Sequence, residues 1–323
     1  MQASGRIDTH HHFVPPFYLS EVGAEAIGRT LVSGQAPVWT PQHSIDAMDR
    51  NGIATALVSI SAPGFVCEQA KKTDLCRRCN DYAAEMRGNY PGRFGSFASL
   101  PLPDIDASLA EIDRSLGSLG AEGICLLTNY DGRYLGDPLF EPVFEELNRR
   151  HAIVYVHPAE SPCGCGVGLP PASLEYPFDT TRAVASLLFS GRLNRFHDIK
   201  FIFSHAGGTI PFLADRLARL ERRPDYKRHV PDGVLTELRR LFYDTALSAN
   251  RLSMDTLLGL VTSRQVLFGS DYPYAPEEAM VGTVRGLNDL NLAANDLAAI
   301  ERTNALRLMP SLLAGPAMGA NKP

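Results

Sequence analysis

Eight apolar, β-branched runs, spaced so that a helix fits between each and the next, predict a (β/α)8 TIM barrel with an insertion after its first strand. Three observations carry this expectation: the number of alternations, the helix punctuation between the runs, and the polar residues that end several of them. The predicted strands are Ile7–His12, Thr55–Ser61, Phe94–Leu100, Gly123–Leu127, Ile153–His157, Lys200–His205, Leu241–Leu247 and Gln265–Asp271. Helical patterns fall at Pro41–Asn51, Thr73–Gly88, Ile105–Leu119, Leu139–His151, Phe178–Phe196, Thr209–Arg222 and Ser253–Val261, with a last one near Ala293–Leu308. Thr40-Pro41 puts a capping hydroxyl ahead of a proline at the first helical position, and Gly52 follows the same helix.

Residues 13–38, with Pro15, Pro16, Pro37 and several glycines, form too long a stretch for a simple βα loop and are predicted to cover the mouth of the barrel. Residues 1–314 are expected to be one domain, because barrels of this kind reach such lengths as single units. Residues 315–323 are small and polar, the composition of a disordered tail.

The net charge is −5 and Lys and Arg are dispersed, which argues against nucleic acid or an anionic membrane as partner. No run of eighteen apolar residues occurs and the first residues lack the apolar core of a signal peptide, so a soluble, cytoplasmic protein is expected. Of the six cysteines, Cys76 and Cys79 form a C-x-x-C inside a predicted helix and are read as structural. Cys163-Gly164-Cys165 lies in a Gly/Pro-rich loop after His157, and its role stays open.

Barrel chemistry sits at the C-terminal strand ends, where side chains share one mouth. His10 and His12 end the first run and point to the same face, since side chains alternate along a strand. His157, His205 and Asp271 end the fifth, sixth and eighth runs, each after apolar residues that would otherwise bury it. His10, His12, His157 and Asp271 offer three nitrogens and one carboxylate, a donor set suited to Zn²⁺ or, with added oxygen ligands, Mn²⁺. The fourth run carries no lysine, so a single ion is the simpler expectation. His11, His43, His151, His197 and His229 are read as structural, and Trp39, Tyr272 and Tyr274 as candidates for the pocket wall or for core packing.

Asp8-x-His10-x-His12, His157-Pro158, Ser204-His205-Ala-Gly-Gly and Gly269-Ser-Asp271-Tyr-Pro together resemble the amidohydrolase superfamily, and within it the α-amino-β-carboxymuconate-ε-semialdehyde decarboxylase family. The resemblance covers roughly residues 6–310. It implies the barrel, one Zn²⁺ or Mn²⁺, and non-oxidative loss of CO2 from an unsaturated or aromatic acid. It also implies that His205 handles a proton, with Asp271 as the rival donor, and that Arg216 reaches into a neighbouring subunit's site to bind carboxylate, which predicts a homodimer. Where the muconate-semialdehyde enzymes carry an arginine for a second carboxylate, this chain has Ser44. A monocarboxylate with a neighbouring hydroxyl is therefore the expected substrate, and His-His-His-Phe-Val-Pro-Pro-Phe-Tyr is similar to the methylsalicylate decarboxylase branch. The alternative is a metal-dependent hydrolase of a lactone or amide, because the same donors can lower the pKa of water to about 7.

Overall fold

The computed structural model describes residues 5–164 and 166–313; Cys165 and the expected tail at 315–323 lie outside them. Eight parallel strands follow in sheet order: β1 (Arg6–His12), β2 (Ile53–Ser59), β3 (Phe94–Ser99), β4 (Gly123–Leu127), β5 (Ile153–His157), β6 (Lys200–Phe203), β7 (Phe242–Asp244) and β8 (Val266–Leu267). The seam between β1 and β8 is closed by backbone bonds from Thr9 N–H to the Phe268 carbonyl (2.9 Å), Asp271 N–H to that of His10 (2.8 Å) and His12 N–H to that of Tyr272 (2.7 Å). With helices between the strands, this is the (β/α)8 barrel that the sequence predicts.

Alternation along the strands divides the apolar residues into two sets. Ile7, Leu57, Phe97, Cys125, Tyr155, Ile202 and Leu267, drawn from seven of the eight strands, pack into one buried cluster that fills the barrel, with Ala305 and Met309 joined to it. The residues of opposite parity, among them Ala56, Val58, Ala98, Ile124, Val154, Val156, Phe203 and Val266, pack outward in a larger cluster with the helices. The barrel is thus a packed plug, and Tyr155, which touches the His10 ring at a centroid distance of 5.3 Å, forms the floor of whatever lies above it.

Helix Pro41–Arg50 starts as expected, with the Thr40 hydroxyl accepting the His43 N–H at 3.2 Å. The stretch after β1 holds two short helices, Pro16–Val22 and Ala24–Gly28, followed by an extended segment. Several bounds differ from expectation: β2 ends at Ser59 and not Ser61, and the helix expected over Phe178–Phe196 is split into Glu175–Phe189 and Arg192–Arg195. β6 and β8 stop short, so that His205 and Asp271 stand beyond their strands, and β7 ends at Asp244 instead of running on to Leu247. Helices Val234–Arg240 and Glu277–Asp289 and a small hairpin, Asn129–Tyr130 with Arg133–Tyr134, add to the predicted set. The C-x-x-C cysteines Cys76 and Cys79 are free and buried in helix Gln69–Asn89. No helix among the described residues is long and apolar enough to cross a membrane.

Candidate metal centre and cavity

His10 and His12, two residues apart on β1, project to one side, with Nε2 atoms 3.1 Å from each other. Asp271 Oδ1 lies 3.1 Å from His10 Nε2 and 3.0 Å from His12 Nε2, and Asp271 Oδ2 lies 3.3 Å from His205 Nε2. His10, His157, His205 and Asp271 each bring one ligand-capable atom within 4.8 Å of the others. Strand ends far apart in sequence therefore place four imidazoles and one carboxylate around a single point.

The second ring nitrogens separate the four histidines. His10 Nδ1 faces Asp244 Oδ2 at 2.8 Å, His12 Nδ1 faces the Ser59 carbonyl at 3.1 Å, and His157 Nδ1 faces the Pro158 carbonyl at 2.8 Å. An acceptor at Nδ1 requires the proton there, which leaves the Nε2 lone pair directed at the centre. Three such lone pairs beside a carboxylate fit a divalent cation, so the residues present suit the Zn²⁺ or Mn²⁺ expected from the sequence. His205 Nδ1 has no hydrogen-bond partner among the described residues, although it is buried. Its Nε2 instead faces the Asp271 carboxylate, which places the proton there and leaves no lone pair for the centre, and this suits a proton carrier better than a ligand.

Charge in this cluster is strongly biased. Burial alone would lower His10, but the charges of Asp244 and Asp271 and hydrogen bonds to both override it and push its pKa up to about 10. Burial lowers His12, and burial together with the His12 and His10 charges holds His157 well below the ordinary histidine range. Burial works to raise Asp271, but His10 and hydrogen bonds from three imidazoles hold it well below the usual carboxylate range. With no cation at the centre, one proton concentrates on His10. A metal would take that proton's place.

The positions of His205 and Asp271 are strained. Both have left-handed backbone, φ 53° and φ 65°, a region that costs a non-glycine residue about 1–3 kcal/mol. Asp244 holds the first by accepting the His205 N–H at 2.9 Å, and the His10 carbonyl holds the second. Gly269 lets β8 pass beneath, since a Cβ there would lie 2.7 Å from the His10 Cβ.

Asp244 was not among the expected site residues. It is fully buried, and besides His10 and His205 it accepts the Tyr155 hydroxyl at 3.2 Å and the Ala246 N–H at 3.0 Å. Its signal was present as one more polar residue ending an apolar run, Leu241-Phe242-Tyr243. His11, on the opposite face of β1, is buried and bridges Asp8 Oδ2 (3.0 Å) and Ser44 Oγ (2.9 Å). Ser44 also accepts the Trp39 indole N–H at 2.8 Å, so its hydroxyl is spent on packing. Trp39 and Tyr272 do not line the cavity; Trp39 packs edge-on with Phe13 and Tyr82, and Tyr272 lies against His11. Tyr274 does line it.

That cavity, about 650 Å³, opens above the centre. Ser61, His157, His205 and Asp271 form its base, and residues 31–38 of the stretch after β1, excepting Gly34, form much of its wall. The wall is mostly apolar, and no lysine or arginine is among the lining residues. Arg216 stands elsewhere, exposed on helix Ile210–Ala218 without an ion pair among the described residues.

The family model described as amidohydrolase matches residues 7–310. A 6-methylsalicylic acid decarboxylase of Aspergillus aculeatus is 36% identical over 98% of this chain and 99% of its own length. Decarboxylase yanB of Aspergillus niger is 37% identical, covering 94% of this chain and 87% of its own. Among solved structures, a 5-carboxyvanillate decarboxylase of Novosphingobium aromaticivorans, complexed with manganese and 4-hydroxy-3-methoxy-5-nitrobenzoic acid, shares the fold with a TM-score of 0.79 at 20% identity, over 94% of this chain and 96% of the other. The chain belongs to the amidohydrolase family, among its decarboxylases, and is a carboxy-lyase.

Proposed function

We propose that the chain is a metal-dependent, non-oxidative decarboxylase of a hydroxylated aromatic acid of the salicylate type, with 6-methylsalicylate as the leading candidate. The observation that carries this is the cavity: a mostly apolar space with room for a substituted ring, whose base is a carboxylate and imidazoles converging on one point. The methyl group of 6-methylsalicylate suits such a wall, and relatives named for this acid match the chain over nearly its whole length.

His10, His12, His157 and Asp271 would hold the ion, Zn²⁺ or Mn²⁺. When bound, a divalent cation lowers the pKa of a ring hydroxyl and orients it, which enriches the neighbouring carboxyl-bearing carbon in electron density. Asp244, Ser59 and Pro158 keep the three imidazoles in the tautomer that ligation requires. The His205 Nε2 and Asp271 Oδ2 pair, 3.3 Å apart, carries the proton that replaces the carboxyl group on the ring carbon. The C–C bond electrons return to the ring as CO2 leaves, so one carboxylate and one proton give one phenol and one CO2. The apolar wall limits the water that could compete for that proton.

The cavity contains no cation of its own, and Arg216, with Phe212 80% exposed one turn before it, is free to act elsewhere. In a homodimer Arg216 of a second copy would meet the carboxylate at the mouth. Arg216→Ala should then raise KM about tenfold or more with little change in the metal content; an unchanged KM would remove Arg216 from the site. A cytoplasmic location accords with this reading. The deciding experiment incubates the metal-loaded protein with 6-methylsalicylate and follows CO2 and 3-methylphenol. Equal release of the two supports the proposal, and hydrolysis of a lactone or amide without CO2 from any hydroxybenzoate refutes it.

A further inference from the structure

The chain turns away from the sheet directly after His157, and the end of β4 holds that turn. The Thr128 N–H donates to the His157 carbonyl at 3.0 Å, the Ala159 N–H to Thr128 Oγ1 at 2.9 Å, and Asn129 Nδ2 to the Glu160 carbonyl at 3.1 Å. The Pro158 carbonyl and the Ala159 N–H belong to one planar peptide, so fixing the direction of the N–H fixes that of the carbonyl. That carbonyl faces His157 Nδ1 at 2.8 Å. Among the described residues no other hydrogen bond reaches this peptide. The acceptor that sets the His157 tautomer is therefore aimed by one hydroxyl on the neighbouring strand end.

The proton of that hydroxyl goes the other way. Thr128 is fully buried and donates to Asp179 Oδ2, on helix Glu175–Phe189. Asp179, also fully buried, accepts Asn129 Nδ2 on Oδ2 at 3.1 Å and the Tyr134 hydroxyl on Oδ1 at 2.6 Å. The hairpin Asn129–Tyr130 with Arg133–Tyr134 thus supplies two of the three donors to this carboxylate. A hydroxyl has one proton to give, and an ionised carboxylate only accepts. With its proton spent on Asp179, Thr128 Oγ1 is left as an acceptor for the Ala159 N–H.

We propose that Thr128 and Asp179 are positioning residues for the metal centre: they aim the Pro158–Ala159 peptide so that its carbonyl keeps the His157 proton on Nδ1 and the Nε2 lone pair on the ion. This rests on the reading of His157 as a metal ligand. The competing tautomer has a partner of its own, since Ser61 Oγ lies 3.4 Å from His157 Nε2 and would accept a proton placed there. A carbonyl held in one direction decides that competition in favour of ligation.

Thr128→Val keeps the shape of the side chain and removes the oxygen, and Thr128→Ser brings the oxygen back. Zinc affinity is read by competition with a chelator and folding by Tm. The tautomer is read by nitrogen NMR of the metal-free, histidine-labelled protein, with the His157 signals identified by their absence in His157→Gln. Thr128→Val should bind Zn²⁺ about tenfold more weakly, the lower end for loss of an outer partner, because the lost group acts through a peptide. Its His157 should exchange the Nδ1–H signature of the wild type for a mixture of tautomers, and Thr128→Ser should restore both readouts. Val143→Ala, a buried substitution in helix Glu141–Arg149, should lower Tm while leaving zinc affinity and tautomer unmoved. Thr128→Ala, which sets no methyl against Asp179, is read in the same way if Thr128→Val does not fold. Zinc affinity within about twofold of the wild type in the variant lacking the oxygen, a wild-type His157 protonated at Nε2, or equal weakening by Val143→Ala overturns the proposal. If Thr128→Val disturbs the tautomer but the wild type binds no Zn²⁺, the metal reading falls and the control of the ring by Thr128 stands.

Discussion

Replacing Asp244 by asparagine should empty the metal centre without unfolding the barrel. Asp244 Oδ1 accepts the His205 and Ala246 N–H groups at 2.9 and 3.0 Å, while Oδ2 faces His10 Nδ1 at 2.8 Å and the Tyr155 hydroxyl at 3.2 Å. An asparagine has one acceptor oxygen, and two backbone donors hold it on the Oδ1 side. Its NH2 group then faces His10 Nδ1, and a donor can be tolerated there only if the imidazole moves its proton to Nε2. That step removes the lone pair aimed at the cation. Loss of an outer partner alone weakens metal binding about 10- to 100-fold. Because the ligand itself is compromised, the upper end is expected here, about 100-fold or ~2.7 kcal/mol. Competition for Zn²⁺ against a chelator of known affinity measures this directly, with far-UV circular dichroism as the check on folding. A folded Asp244→Asn protein that binds zinc within about threefold of the wild type would refute both the tautomer argument and the role of Asp244.

His205→Asn should lower turnover by about 10²- to 10⁴-fold, the usual share of a positioned proton carrier, while one metal ion per chain is retained by elemental analysis. Loss of the metal with the activity would instead make His205 a ligand. Proton release provides a separate test. In the metal-free protein His10 is raised from 6.5 to about 10, so it is charged at pH 7.5 and must give up its proton when a cation binds. Calorimetry in buffers of different ionisation enthalpy should report about one proton released per metal at pH 7.5. The same shift has a stability counterpart. A raised histidine stabilises fully below pH 6.5 and progressively less as pH climbs through about 10, so the Tm of the metal-free protein should fall over that window. The metal-loaded protein should lack this component of the decline; parallel curves for the two forms would contradict the assignment.

The barrel and most of the centre were legible because each depends on a local contrast. His10, His12, His157, His205 and Asp271 each interrupt or end apolar residues, and the strand period alone makes His10 and His12 share a side. Asp244 escaped because Thr245-Ala246-Leu247 prolongs an apolar pattern; the chain in fact leaves the sheet there, and Leu247 turns left-handed at φ 52°. Helix Glu277–Asp289 was hidden by Gly282 and Gly286, which lower intrinsic helix propensity. Gly286 is explained only by the fold, since a Cβ would come within 1.8 Å of the Ala249 carbonyl oxygen. The pairing of Ser44 with His11 exists only between segments distant in sequence. No periodicity reports such contacts.

The wall and base of the cavity come from different kinds of chain. The base is tied to strand ends whose backbone also closes the barrel seam, with the Asp271 N–H donating to the His10 carbonyl. The wall segment at residues 31–38 carries Val32 and Val38 at 71% and 88% exposure and contributes nothing to the sheet. Substitutions, insertions or deletions there can reshape the space around the ring while the reacting groups stay in register. Substrate range in this architecture can therefore diverge at a surface segment, separately from the machinery it serves.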